Sequence, residues 1–303
     1  MTTPTRENRP DAPGPDASLA QVLSSFEAAG HADPALAWQN FTGTFNWAAR
    51  LATAVPCRAV PAPVAREESG GFTVSGMWGR PSHAGRGPWL ALPLAAGANG
   101  GPDLFVVHSK VLDRTEPGLA GGVAGAVFRL DSTHVPAGFA TRTAAVPLLA
   151  EDAPFLWTAT AALALGAARR TADVLAATVG YGAVPAPGGP TASAVVAAES
   201  AAVLHGARMD LASVLHGVPT ARQGLSAAAG KRLFECVGRA ANAAHHVVAS
   251  VYGQALTSPG ANRDRQALAD LIEASAPILQ QVRYSRDLLP PRRRQPGHEE
   301  VAR

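Results

Sequence analysis

The sequence predicts an α+β chain in three unequal blocks: a short helical part over 18–54, a small antiparallel β-barrel or sandwich over 55–150, and an antiparallel four-helix bundle over 151–287. Three observations predict it. Helical periodicity governs both ends of the chain, Gly and Pro punctuate short apolar runs in the middle, and one strand-rich block between helical ones argues against alternating βαβ units. The flanks, 1–17 and 288–303, are polar and Pro-rich and are expected to be disordered tails, the second one basic through Arg292-Arg293-Arg294.

In the first block, Leu19, Val22, Leu23 and Phe26 recur at i, i+3, i+4 and i+7 behind Ser18, which predicts a capped amphipathic helix. Asp33-Pro34 opens a second helix, expected to run to Ala54. From Val55 to Pro147 the runs Phe72–Gly76, Trp89–Leu94, Leu104–His108 and Ala126–Leu130 read as strands, with Gly70-Gly71 and Asn99-Gly100-Gly101 as turns. Four helices are then expected over 152–179, 190–217, 221–253 and 262–286, separated by Gly/Pro-rich breaks. In the third, Leu225, Ala229, Leu233, Val237, Ala240, Ala244, Val247 and Val251 keep to one face, and the abundant alanine permits close helix approach.

Composition narrows the function. Of 303 residues, 47% are hydrophobic but only 6% aromatic, because alanine carries the apolar content, so a wholly disordered chain is excluded. Cys57 and Cys236 are too few for a disulfide scaffold and lack a His or Lys beside them, so both are expected to be inert. No run approaches about 18 apolar residues free of charge, so no membrane span is expected, and the start lacks the apolar core of a secretory signal. A cytoplasmic location follows as the expectation. The formal charge is only +3 and the basic residues are not interleaved with aromatics, so nucleic-acid binding is not expected. No glycine-rich dinucleotide or phosphate loop, HExxH, CxxC pair or GxSxG elbow occurs, and no metal site is expected.

Five stretches carry a family resemblance when read in order. Asp33-Pro-Ala-Leu-Ala-Trp38 looks like a "D-P-S-x-A-W" helix. Gly70-Gly-Phe-Thr-Val-Ser-Gly-Met-Trp78 followed by Ser82 looks like "G-G-Y-x-V-S-G-x-W-x-x-x-S". Gly87-Pro-Trp89 stands where "A-D-W" opens the next strand, Phe128 to Val135-Pro136 matches a strand ending in "V-P", and Leu165-Gly-Ala-Ala-Arg169 matches "L-G-x-A-R". With helices, strands and bundle in this order, the chain resembles the acyl-CoA dehydrogenase superfamily over most of 20–285, and most of all its flavin-dependent monooxygenase branch. Only about two helices of that family's N-terminal domain precede Val55. Gly118 to Gly125 carries no Thr or Ser where the family has "G-x-x-G-T-G-S", and Tyr252-Gly-Gln-Ala offers no carboxylate where the dehydrogenases have "Y-E-G-T".

The resemblance implies FAD or FMN, reduced by a separate flavin reductase, and a small-molecule substrate. It also implies a homodimer or homotetramer. It places Trp78 and Ser82 around the flavin, Gly121 and Gly122 against flavin and substrate, and Arg169 near the flavin diphosphate across a subunit boundary. Each has a plainer reading beside it: a core Trp next to a turn Ser, a flexible glycine run, a surface arginine. His245 and His246 sit mid-helix about 100° apart, so they cannot share one metal. Either one facing a cavity is a candidate general base, as is His83 in its turn, against the alternatives of a satisfied interhelical or a solvated histidine.

Three functions stay open at this point. The first is a flavin-dependent oxidoreductase or monooxygenase of secondary metabolism, acting on a medium-sized polyketide-like, aromatic or carrier-tethered substrate. The second is a flavin-free enzyme using the same cavity for cyclisation, elimination or rearrangement, which the missing Thr, Ser and carboxylate favour. The third is a non-catalytic subunit of a heteromeric dehydrogenase.

Overall fold

Two caps set how the chain enters the fold. Ser18 Oγ accepts the Gln21 N–H at 3.2 Å and opens α1 (Leu19–Ala32), whose Leu19, Val22, Leu23 and Phe26 are all buried, the four expected positions. Asp33 accepts the Leu36 N–H at 3.0 Å and opens α2 (Pro34–Thr44), with Pro34 in the first turn, where its missing N–H goes unused. The computed structural model describes residues 12–57, 62–79, 88–94, 101–112, 127–180, 191–216, 218, 220, 222, 225–257 and 262–288.

The second helix ends at Thr44, well short of Ala54. The Thr42 and Thr44 hydroxyls turn back onto the carbonyls of Trp38 and Asn40. Beyond them, β1 (Phe45–Asn46) pairs in parallel with β10 (Val146–Pro147), and Asn46 Oδ1 accepts the Ala48 N–H. Strand pairing and an Asn-centred turn outweigh local helical propensity here.

The middle block forms two four-stranded sheets, largely antiparallel. One contains β2 (Ala52–Thr53), β6 (Trp89–Pro93), β7 (Leu104–His108) and β9 (Ala140–Thr141) in that order, with only β2–β6 parallel. In the other, β5 (Gly71–Gly79) pairs with β3 (Val55–Pro56), β4 (Val64–Glu68) and β8 (Val127–Pro136), all antiparallel. The strand β4 was not expected, because Val-Ala-Arg-Glu-Glu lacks an apolar face; it survives as a mostly exposed edge. Phe72 of β5 meets Phe105 of β7 edge-on at 5.2 Å, joining the two sheets.

The bundle consists of α3 (Ala153–Gly180), α4 (Ala192–Leu215), α5 (Ala227–Thr257) and α6 (Asn262–Leu288); three keep within two residues of expectation, while α5 is shifted, starting at Ala227 rather than 221 and ending at Thr257 rather than 253. Buried on almost every side from Phe155 to Ala168, α3 is the central helix, touching α1, α4, α5 and α6. Asp210 meets Arg239 while Ser193 meets Gln254, so α4 and α5 run antiparallel. The guanidinium of Arg286 on α6 lies 4.3 Å from the Phe234 ring centroid and donates to the Phe234 carbonyl, and Phe234 in turn meets Trp157 of α3 edge-on.

Buried residues of all three blocks form one connected core. Phe26, Phe41, Phe45 and Phe155 join α1, α2, β1 and α3 through ring contacts of 5.0 to 6.1 Å. Among the described residues no helix is long and apolar enough to cross a membrane, and no group of His, Cys, Asp and Glu is disposed to hold a metal ion.

Candidate functional site

The β unit and the bundle meet along α6, and the seam is aromatic. Trp89 opens β6 and lies opposite His108 in the β6–β7 register, so pairing alone brings their rings to 5.0 Å, edge to face. Phe139, in the 3-10 turn Ala137–Phe139 after β8, stacks on Trp89 at 5.4 Å. Tyr284 of α6 completes the cluster at 5.4 Å from both Trp89 and Phe139. Phe139 is buried; Trp89, His108 and Tyr284 are half-buried, so one side of the cluster is open. His108 Nδ1 accepts the Lys110 N–H at 3.1 Å, which leaves Nε2 as the protonated nitrogen of the neutral ring.

The turn that carries Phe139 is held from both sides. Trp38 Nε1 donates to the Ala137 carbonyl at 3.4 Å, and the Gly138 N–H donates to Gln280 Oε1 at 3.2 Å. A Cβ at Gly138 would press on the Pro277 carbonyl, so this backbone rides directly on α6. At the far end of the seam Ser69 donates to Glu273 at 2.7 Å.

Gln281 stands on the α6 face between Pro277 and Tyr284, both of which meet the β unit. It is fully buried, and among the described residues neither its Nε2 nor its Oε1 has a hydrogen-bond partner. Thr158 Oγ1 on α3 is likewise buried and unpartnered. A buried polar group left unpaired costs about 1–3 kcal/mol. A carboxamide unsatisfied at both ends beside a half-open aromatic cluster is the feature that most resembles a place for a polar-edged planar molecule.

The described residues among those singled out in the sequence stand on three separate elements, β5, α3 and α5. Trp78 is fully buried in the β unit, stacked on Phe128 at 6.1 Å, and its indole N–H donates to the Pro93 carbonyl at 3.2 Å. Arg169 Nη1 donates at 3.1 Å to Glu27, which is 5% exposed and also accepts from Arg208 at 2.6 Å. Arg169 edges a cleft of about 360 Å³ between α3 and α4, walled chiefly by alanine. The Nδ1 of His245, half-buried on α5, lies 2.8 Å from the Ala241 carbonyl one turn back, and His246 is exposed. Ser82, His83, Gly121 and Gly122 lie outside the described residues. As placed, Trp78 offers neither a free donor nor an open ring face, whereas Arg169 gives one N–H to Glu27 and keeps 45% of its side chain exposed.

His108, Tyr284 and Gln281 carry no sequence signal of their own. His108 ends a predicted strand, and only the register that sets it against Trp89 makes it part of a cluster.

Burial pushes the Cys236 thiol up, and Sγ lies 3.0 Å from the Arg239 guanidinium as an acceptor. Cys57 is half-buried. In native protein at neutral pH, a thiol reagent is expected to titrate Cys57 first and Cys236 only on unfolding; a Cys57→Ser variant that still reacts promptly contradicts this.

No protein-family model matches the sequence, and no curated protein matches it. Among solved structures the chain is similar to XiaF from Streptomyces sp., solved with FADH2 and glycerol: 15% identity over 93% of this chain and 83% of that one, TM-score 0.40. It is similar to the HsaA monooxygenase from M. tuberculosis at 13% identity over 88% of this chain and 79% of that one, TM-score 0.41. It is also similar to an acyl-CoA dehydrogenase from Geobacillus kaustophilus at 14% identity, covering 90% and 80%, TM-score 0.44. Across likenesses this distant no function is transferred.

Proposed function

We propose that this protein is an enzyme that binds a planar small molecule at the seam between β unit and bundle, as a flavin-dependent oxidoreductase or monooxygenase of secondary metabolism. The observation that carries the site is Gln281, buried on α6 three residues before Tyr284 of the aromatic cluster, with both ends of its amide unpaired. A donor and an acceptor side by side suit the edge of a heteroaromatic ring, and the stacked rings suit its face. The flavin assignment rests on the five ordered stretches from Asp33 to Arg169. FAD or FMN would supply the redox chemistry, reduced by a separate reductase; the chain would supply orientation and a dry site. His108, edge-on to Trp89, is the candidate for holding a proton there, alongside His83, His245 and His246. A medium-sized polyketide-like, aromatic or carrier-tethered substrate, the division into blocks at 18–54, 55–150 and 151–287, a cytoplasmic location and self-association belong to the same proposal.

A specific observation favours the second reading, a flavin-free enzyme of cyclisation, elimination or rearrangement. Trp78, a described residue that the resemblance assigns to flavin, is fully buried and gives its indole N–H to the Pro93 carbonyl. Absorbance of purified protein titrated with FAD and FMN, oxidised and reduced, separates the readings: a retained flavin band supports the first, and turnover without flavin supports the second.

Gln281→Leu tests the site under either reading. Removing an unpaired buried amide for a side chain of similar volume is expected to raise the melting temperature of the free protein, while weakening ligand binding roughly fivefold or more. Loss of both stability and binding would show Gln281 to be structural, and the seam would no longer be the favoured site.

A further inference from the structure

We infer that the hollow between α1 and α2 is a second ligand site, separate from the seam, which takes a small apolar amine in its ammonium form. This goes beyond the flavin reading and stands or falls independently of it.

The cavity holds about 320 Å³, within the range of about 300–1,000 Å³ usual for small-molecule sites. Its deep side is formed by buried Phe26 and Phe41, edge to face at 5.7 Å, and buried Ala37. Ala29, Ala32 and Leu36 line its more open side, and Ala12-Pro13 reach it from the segment ahead of α1. Two aromatic rings set in alanine suit a single ring or a short branched chain.

Alanine keeps this space open. Ala29 and Ala32 are exposed helical positions, where leucine has nearly the helix propensity of alanine and would fill the hollow. Apolar walls without partner atoms forfeit packing contacts, so an occupant explains the hollow better than emptiness does. Residues 1–11 are poorly suited to be that occupant: apart from Met1, Pro4 and Pro10 they are polar or charged.

Charge decides the class of occupant. Among the described residues Asp33, exposed at the junction of the two helices, is the one charged side chain lining the cavity. The C-terminus of α1 and the N-terminus of α2 meet there, and their opposite partial charges offset each other, which leaves the carboxylate as the net charge. Asp33 Oδ1 accepts the Leu36 N–H at 3.0 Å, and its Oδ2 has no bond among the described residues. No arginine, lysine or histidine lines the hollow to receive a carboxylate or phosphate. An ammonium on an apolar body satisfies both parts: the body lies against Phe26 and Phe41, and the head donates to Asp33 in a charge-assisted hydrogen bond. Anionic flavins and acyl carboxylates are disfavoured for the same reason. Trp38, stacked on Phe41 at 5.7 Å and donating to the Ala137 carbonyl, separates this hollow from the aromatic seam.

The test is NMR titration of the full chain at neutral pH with three probes of similar shape and different heads: 2-phenylethylamine, 2-phenylethanol and 3-phenylpropionate. The amine is expected to bind tightest, the alcohol about tenfold more weakly, and the acid not measurably. Asp33→Asn retains the cap, since Asn and Asp cap helices equally well, and is expected to weaken the amine about tenfold while leaving the alcohol unchanged. Ala29→Leu fills the hollow and is expected to abolish binding of both without lowering the melting temperature. Absence of amine binding, acid binding as tight as that of the amine, or amine binding untouched by both variants overturns the site. Equal binding of amine and alcohol, unchanged in Asp33→Asn, overturns the ammonium assignment. Should Ala29→Leu fail to fold, Asp33→Asn and the order of the three probes decide the matter without it.

Discussion

Replacing both Arg169 and Arg208 by Met is expected to cost about 3–5 kcal/mol of stability, whereas replacing Glu27 by Leu should cost far less. The three residues form a single device. Glu27 lies on α1 with 7% of its side chain exposed, and receives Arg169 of α3 at one oxygen and Arg208 of α4 at the other. The arginine side chains keep 45% and 36% of their surface in water. The desolvated member is therefore the carboxylate, and the penalty falls on whichever variant leaves it alone. With Glu27 gone, two half-exposed guanidiniums simply turn to solvent. With both arginines gone, a buried charge has no counterion. Either single arginine variant leaves the other in place and should cost about 1–2 kcal/mol, since a hydrogen bond to a charged group contributes about 1.5–3 kcal/mol. The double variant should then exceed the sum of the singles. Urea unfolding of the four variants measures this, and a Glu27→Leu loss larger than that of the double arginine variant would refute the scheme.

That device also shows where the sequence stops being readable. The leucines, Val22 and Phe26 of α1 could be placed on a buried face from spacing alone, since a 3.6-residue period is a property of one segment. Glu27 could not. It follows Phe26 directly on the chain, and its partners lie 142 and 181 residues further on. Arg169 was legible as a notable residue only through the Leu165–Arg169 stretch, which says nothing of Glu27.

The same division runs through the rest of the molecule. Helix starts were legible at Ser18 and Asp33 because a cap is a local hydrogen bond, with Ser18 bonding Gln21 and Asp33 bonding Leu36. The end of α2 was not, because Phe45–Asn46 leaves the helix to pair with a strand about a hundred residues away. The four bundle helices, the principal strands and their order were legible from punctuation and periodicity. The aromatic seam was not, since Trp89, His108, Phe139 and Tyr284 meet only through sheet register and the docking of α6. Trp78 sits in both pictures: its strand was anticipated, while its bond to Pro93 turns a residue with a possible cofactor role into a core contact.

Gly166→Ala is the second substitution expected to have a large effect, and here two known tendencies oppose each other. Alanine is better than glycine inside a helix by about 1 kcal/mol, so propensity alone predicts stabilisation. Packing predicts the reverse. A Cβ at Gly166 on α3 would overlap the Glu27 carbonyl oxygen of α1 and lie 2.8 Å from the His31 nitrogen. At Gly30 on α1 it would overlap the Leu163 carbonyl oxygen of α3, with the carbonyl carbon at 3.1 Å. The obstacles are backbone atoms, which cannot rotate aside, so the helices must move apart. Overpacking of this kind costs about 1–3 kcal/mol. Separating α1 from α3 also loosens the Phe26–Phe155 contact and the bond from Arg169 to Glu27. Set against about 1 kcal/mol of helix propensity, this leaves a net destabilisation of up to about 2 kcal/mol for Gly166→Ala, and a similar loss for Gly30→Ala. The double variant should lose less than the sum, because the first displacement already makes room for the second methyl. Gly253 on α5 supplies the control: a Cβ there meets nothing within 4 Å, so Gly253→Ala should follow propensity and stabilise by up to about 1 kcal/mol. Thermal and urea unfolding of the four variants decide between the two tendencies. If Gly166→Ala proved as stabilising as Gly253→Ala, the close crossing of α1 over α3 would not exist, and the buried Glu27 network that depends on it would go too.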